Sequence, residues 1–428
     1  MTRSFARSLE MLARARRVVP GASQTLSKGP AMFVEGAYPV FLQRGRGCRV
    51  WDVDGNEYVD YILGLASITL GYAYPAITEA VTRQVAEGSI FSLPHPLEVE
   101  VAERLTEVIP CAEMARFVKT GSEADAAAVR IARAATGRER IVSGGYHGWL
   151  DWHAITTPRA KGIPKDFARF VSPFAYNDLD SLEAALDEHR GQVAAVIMEP
   201  VLLDEPRPGF LAGVKAAAHR HGALLIFDEI VSGFRWAVGG AQERFGVAPD
   251  LATFGKGMAN GLPLAAVVGR RELMREFDEV FVSSTFGGDT LALAACRATL
   301  DEYARQPVIA RLWEMGRRFQ DGFRAIAARL GVPARCVGYP VHPKIVIDHE
   351  SERVQRLLTS LFLQETAERG VIFHFAGFNV SFSHTEADVD ASLEACAGAL
   401  AVVGEAMADG RVAERLRGQP YQEAFRRS

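Results

Sequence analysis

The sequence predicts an α/β fold in which a mostly parallel central sheet carries helices on both faces, with a smaller α+β domain built from the N- and C-terminal segments. Three observations lead there. From about residue 98 to residue 305, short apolar runs alternate with helical stretches, the pattern of a parallel sheet covered on both sides. Beyond residue 306 the helices lengthen and the strands become sparse. At 428 residues the chain also exceeds one compact core of ordinary size. The expected division is 1–60, an N-terminal helix and β-hairpin of the small domain; 61–305, the large α/β domain; and 306–428, the C-terminal part of the small domain.

The elements follow in order. Arg3, Arg7, Arg14, Arg16 and Arg17 against Glu10 have the charge bias of an organelle transit peptide. Pro20-Gly21 closes the same stretch as it would an amphipathic opening helix, the reading preferred here. Segments 40–42, 48–51 and 58–62, with a turn at Asp54-Gly55, read as antiparallel strands. Apolar strands are expected at 115–118, 140–142, 194–198, 224–227, 251–254 and 264–268, with helices at 122–135, 179–190 and 211–221. A long helix near 307–330 leads to strands at 344–347, 371–373 and 379–382 and to helices at 352–369 and 386–403.

Composition narrows the function classes. A hydrophobic content of 48% with 23% charged residues is that of a folded, globular chain. A net charge of −4 provides no basic field for nucleic acid. No uninterrupted apolar run reaches the ~18 residues of a membrane span, so no membrane partner is expected. Cys48, Cys111, Cys296, Cys336 and Cys396 are scattered, odd in number and without a CxxC pair. Neither a metal site nor a disulfide framework is therefore expected, and a reducing, cytoplasmic setting fits.

Chemistry-bearing residues cluster at the carboxyl ends of the expected strands, where open parallel sheets bind ligands. Thr120-Gly121-Ser122 joins the strand ending at Val118 to a helix, and the free N–H groups of a helix start suit a phosphate. Taken alone, it reads first as an ordinary N-cap, because capping residues are so common. Gly145-Tyr146-His147-Gly148 places two rings between glycines, either to cover a flat ligand or simply to pack a turn. Asp228 ends the apolar run 223–227, where a carboxylate is costly to desolvate unless a cation meets it. A pyridinium nitrogen is such a cation, with an attraction on the order of 4 kcal/mol at an effective dielectric near 20. Lys256 follows another apolar run and sits among Leu251, Phe254, Met258, Leu262 and Pro263, an environment that lowers an amine pKa. A strand-end acid together with a strand-end lysine matches the needs of a pyridoxal phosphate (PLP) enzyme, in which the lysine carries the cofactor as a Schiff base.

These segments, with Trp51–Asn56, Phe227–Phe234, Gly239–Gln242, Ser284–Gly288 and His384-Thr385-Glu386, resemble the class III aminotransferases of PLP fold type I, over roughly residues 18–400. Within them the chain looks most like the glutamate-1-semialdehyde aminomutase branch. The resemblance implies Lys256 as Schiff-base lysine and proton shuttle, and Asp228 as partner of the ring nitrogen. Gly121 and Ser122 would hold the phosphate, Tyr146 would cover one ring face with His147 beside it, and Ile230 would pack the other. Thr285 matches a threonine that reaches the neighbouring subunit's phosphate, which implies a homodimer. The chain also departs from the mutase pattern. Ser23–Lys28 lacks the arginine for a substrate carboxylate, Ala376 stands near a usual glutamate, and Asp289-Thr290 replaces the usual Asn-Pro. Trp149–His153 replaces a glycine- and serine-rich loop, and Trp149 and Trp152 suggest a platform for a sugar ring or another flat substrate.

The expected activity is a ping-pong transfer of an amino group from an amino acid donor to a ketone or aldehyde acceptor. An intramolecular aminomutase, a PLP racemase or lyase, and a non-catalytic PLP-binding regulator are the alternatives. His374, Phe375 and Phe378 are candidates for the acceptor side.

Overall fold

The computed structural model describes residues 3–422, which form two compact units. One contains the chain up to Tyr74 and from Ala310 onward, and the other runs from Pro75 to Ile309. Residues 61–74, expected in the large domain, thus belong to the terminal unit. Their backbone bonds explain this: Tyr61 N–H donates to Ile372 O, its carbonyl accepts from Asn379 N–H, and Thr69 O accepts from Phe382 N–H.

In the terminal unit the opening helix spans Ala6–Val18 and stops ahead of Pro20. Strands β1 (Leu42–Arg46), β2 (Arg49–Asp52) and β3 (Glu57–Asp60) pair antiparallel. The first begins at Leu42, later than its expected start at residue 40. The turn between β2 and β3 is tied by the Asp52 carboxylate, which accepts from Asp54 N–H, Asn56 N–H and the Tyr58 hydroxyl.

The large unit holds one seven-stranded sheet: β4 (Met114–Val118), β5 (Arg140–Gly144), β6 (Val171–Pro173), β7 (Val193–Met198), β8 (Leu224–Asp228), β9 (Leu251–Phe254) and β10 (Ala265–Gly269), in spatial order β4-β10-β9-β8-β7-β5-β6. Only β10 runs against the others, antiparallel to both β4 and β9. Six strands therefore end at one edge. Every residue of β7 is buried, as expected for a strand covered on both faces. The helix Gly121–Thr136 packs Ala124, Ala127, Ala128, Ile131 and Ala132 in a core with Ile141, Ala195, Ile226 and Val267. Alanines on that face let the helix backbone approach the sheet, and apolar burial holds it there. Its ends are defined by a Thr120–Glu123 capping box and by Gly137, left-handed at φ +65°.

Returning to the terminal unit, β11 (Ala334–Tyr339) and β12 (His342–Ile347) form a hairpin, and β13 (Val371–Ile372) lies parallel to β3. The strand expected at 379–382 is absent. That segment spends its hydrogen bonds on the 61–69 loop instead of a ladder. The helix Glu386–Asp409 is long and apolar enough, by length and composition alone, to cross a membrane. Here it packs on the helix Glu352–Glu368 and buries Val389, Cys396, Ala399, Leu400 and Val403, as a core helix does.

Candidate active site

The edge where the six parallel strands end supplies the site, one strand at a time. β8 delivers Asp228 as its last residue, 5% exposed. Its Oδ2 lies 2.8 Å from His147 Nδ1, and its Oδ1 accepts from Ile230 N–H at 3.1 Å. His147, fully buried, comes from the loop after β5, and its ring lies nearly parallel to Trp152 at 6.0 Å. Its Nε2 has no hydrogen-bond partner among the described residues.

β9 delivers Lys256 across Gly255. Lys256 has a left-handed backbone, φ +42°, a conformation uncommon for a residue with a Cβ and typical of functional positions. Burial lowers its pKa against the pull of the Asp228 charge first and then of Glu199, and the Arg235 guanidinium adds to the lowering. A depressed pKa leaves more of the amine in its nucleophilic form.

β4 leads into Thr120 and the helix beginning at Gly121. The first N–H groups of a helix have no intrahelical acceptor. Thr120 takes those of Glu123, through its hydroxyl, and of Ala124, through its carbonyl, which leaves those of Gly121 and Ser122. A Cβ on Gly121 would meet Ile230 Cδ1 at 2.5 Å, so the glycine lets Ile230 lie against the helix start.

β7 leads into Glu199, whose Oε2 accepts from Tyr146 N–H at 2.9 Å and so fixes the loop carrying Tyr146 and His147. Burial and the Asp228 charge push the Glu199 carboxyl up to about 7. Tyr146 is half exposed, with its ring edge-on to His153 at 5.6 Å.

The large unit therefore brings Gly121, Ser122, Tyr146, His147, Asp228, Ile230 and Lys256 to one sheet edge. Thr285 is different: it is exposed on the loop ahead of the helix Thr290–Arg305 and makes no hydrogen bond among the described residues. Of the two tryptophans expected as a platform, Trp152 is buried against His147 and serves packing, while Trp149 is 71% exposed. His374, Phe375 and Phe378 lie in the terminal unit. Phe378 is a core residue there, beside Phe319 and Phe373, and Phe375 stacks on Tyr421.

Sequence reasoning passed over Asp125, Glu199 and Glu229. Glu199 follows an apolar strand just as Asp228 does, the same signal one strand earlier. Glu229, fully buried, accepts from Ala241 N–H and Gln242 N–H, at 2.7 and 2.8 Å, and from the Ser232 hydroxyl. It ties down the loop that follows Asp228.

These residues fit pyridoxal phosphate. The Gly121 and Ser122 N–H groups offer an anion seat, Asp228 offers a buried carboxylate for a ring cation, and Lys256 offers an amine with a lowered pKa. Comparison with known proteins agrees. The family profile "Aminotransferase class-III" matches residues 33–400. The chain is 38% identical over 409 residues to a 3-aminobutyryl-CoA aminotransferase of Cloacimonas acidaminovorans, covering 93% of this chain and 98% of that protein. It is 36% identical over 422 residues to a glutamate-1-semialdehyde 2,1-aminomutase of Syntrophobacter fumaroxidans, covering 91% and 96%. Its fold matches that of the FumI protein of Sphingopyxis sp. MTA144, solved in its PLP internal aldimine form, with a TM-score of 0.89 and 28% identity over 97% of this chain and 99% of that one. The chain belongs to the class III aminotransferases and is a PLP-dependent transaminase of fold type I.

Proposed function

We propose that this transaminase works as a homodimer, with Lys256 and Asp228 at its chemical centre, on an amine one carbon removed from a carbonyl, a 3-aminoacyl thioester or the related 3-amino acid. The observation that carries the site assignment is the convergence of Lys256, Asp228 and the Gly121–Ser122 helix start at the carboxyl ends of three strands of one sheet.

Bound PLP supplies an electron sink for the pair left when a substrate C–H bond breaks. Lys256 Nζ is the amine that would attach the cofactor, and once freed it would serve as the base that holds and moves the proton of the substrate carbon. Its lowered pKa suits both acts. The Asp228 carboxylate would hold the proton of the ring nitrogen, and the His147 contact at 2.8 Å keeps that carboxylate oriented. Gly121 and Ser122 would hold the phosphate, Tyr146 would cover one ring face with His147 beside it, and Ile230 would pack the other. Thr285, exposed and without a hydrogen bond among the described residues, would reach the phosphate of the partner's site.

The substrate class rests on the 3-aminobutyryl-CoA aminotransferase relative at 38% identity. It also rests on Ser23–Lys28, which lacks the arginine that a free substrate carboxylate calls for and so suits an acyl group masked as a neutral thioester. The aminomutase reading has its own support in the 36% identity to a glutamate-1-semialdehyde aminomutase. Mixing the purified enzyme with 3-aminobutyryl-CoA, without acceptor, separates the two. The expected result is one equivalent of 3-oxo product and conversion of the cofactor to its amine form. Isomerisation of glutamate-1-semialdehyde with no such conversion by any 3-amino substrate overturns the proposal.

A further inference from the structure

Asp125 is a fully buried carboxylate that the reaction described above does not use. It lies in the second turn of the helix Gly121–Thr136, beyond the capping box, on the alanine-lined face against the sheet. The Thr253 hydroxyl donates to its Oδ1 at 2.6 Å. Among the described residues no donor reaches its Oδ2, although that atom is buried. Asp125, His147 and Asp228 each bring one polar atom within 4.8 Å of the other two.

Two ionised carboxylates this close, both out of water, repel each other strongly. The donors show which of the two lacks compensation. Asp228 accepts from Ile230 N–H at Oδ1 and meets His147 at Oδ2, whereas Asp125 has a single donor, on Oδ1. A proton on Asp125 Oδ2 relieves the repulsion and leaves Oδ1 as the carbonyl acceptor that Thr253 requires.

We propose that Asp125 is held as a neutral carboxylic acid that donates its Oδ2–H to the Asp228 carboxylate, which makes it a positioning residue for the acid that meets the cofactor ring. Burial first, and then the Asp228 charge, raise its pKa well above the usual carboxylate range. The other titratable groups around it are Glu199 from the end of β7, Lys256 after β9, and His147, itself 5.1 Å from His153. Glu199 favours the same protonation, and Lys256 opposes it without making a bond to Asp125. The proposal rests on the assignment of Asp228 to the cofactor nitrogen.

The test compares full-length wild type with Asp125→Asn and Asp125→Ala. In difference infrared spectra, with and without cofactor, wild type shows a protonated-carboxyl band from about pH 6 to pH 9 that shifts in D2O and is missing from Asp125→Asn. Asn keeps a donor toward Asp228, so its PLP affinity stays within about threefold of wild type. Asp125→Ala, with no donor, binds PLP about tenfold more weakly and moves the pH midpoint of the bound cofactor's visible band by about one unit. Loss of a carboxylate band in Asp125→Asn, equal weakening by Asn and Ala, or sensitivity of the band to zinc or chelator overturns the proposal. Asp228→Asn distinguishes the two levels. If it binds PLP like wild type, the site reading itself fails; if it loses PLP while wild type shows no protonated band, only the role of Asp125 fails.

Discussion

Gly148 and Ser122 meet so closely that a Cβ on the glycine would lie 2.1 Å from Ser122 Oγ and 2.9 Å from its Cα. The loop after β5 therefore lies directly on the helix start that serves as the anion seat. Gly148 is also left-handed, at φ +87°. Gly148→Ala meets both obstacles at once, backbone strain and a clash with Ser122. The expected outcome is a fall of about tenfold or more in PLP affinity with a loss of about 2 kcal/mol in stability, measured by cofactor titration and by denaturant melts. Wild-type affinity in the variant would mean that the anion does not sit at Ser122.

Lys256 stores strain where the chemistry needs it. At φ +42° a side chain costs about 1 kcal/mol that glycine does not. Both Lys256→Ala and Lys256→Gly abolish transamination, by at least about a thousandfold. Only the glycine variant also releases the strain, so without cofactor it should be more stable than the alanine variant by about 1 kcal/mol. Urea melts of the two proteins decide it, and an alanine variant as stable as the glycine one counts against strain at this residue.

Part of the acid sensitivity should come from the terminal unit, beside His153 of the large unit, which burial also lowers to about 4. Burial lowers His374 and His384 to about 4. His384 Nδ1 accepts from Ser381 N–H at 3.0 Å, so the ring is neutral and protonation breaks that bond. A pKa depressed on folding contributes stability that is full above the unfolded value near 6.5 and is lost as pH falls toward the folded one. Each imidazole then accounts for at most on the order of 3 kcal/mol. The melting temperature should drop steadily from pH 6.5 to about 4. His384→Asn, which keeps an acceptor for Ser381 but does not titrate, should flatten that slope, and an unchanged slope removes His384 from the account.

Sequence and structure agree best where a charge ends an apolar run. Asp228 and Lys256 stand out that way, because a strand end is a local feature that one segment reveals. Glu199 carries the same mark after β7 and needed only the same rule. Asp125 was harder to find. It sits mid-helix, and its partners Thr253, His147 and Asp228 come from three distant segments. A charged residue on the stripe formed by Ala124, Ala128 and Ala132 was its one local signal. The segment 379–382 misled for the opposite reason. Buried Val380 gives it the alternation of a strand, yet burial there comes from irregular backbone bonded to the 61–69 loop. Strand β6 is three residues long and ends in proline, too short for periodicity to show.

The proposed dimer makes the last prediction. Ile90, Phe91, Leu93 and Val99 are exposed, Leu93 at 79%, and so is Phe286 at 59%, beside Thr285. Two hydrogen bonds tie the segments that carry them: Thr290 N–H to Ser89 O at 3.0 Å, and the Thr290 hydroxyl to Gly88 O at 2.9 Å. Apolar side chains gathered in this way mark an association surface, and charge placed in its centre opposes burial. Leu93→Glu should therefore shift the protein toward monomer in sedimentation at micromolar concentration, with PLP affinity falling in step as each site loses the partner's threonine. Thr285→Ala should weaken PLP by about tenfold, the worth of one hydrogen bond to a charged group, while leaving the dimer intact. A Leu93→Glu monomer with full activity and wild-type cofactor affinity would refute the shared site, because a complete site in one chain has no need of Thr285 from another.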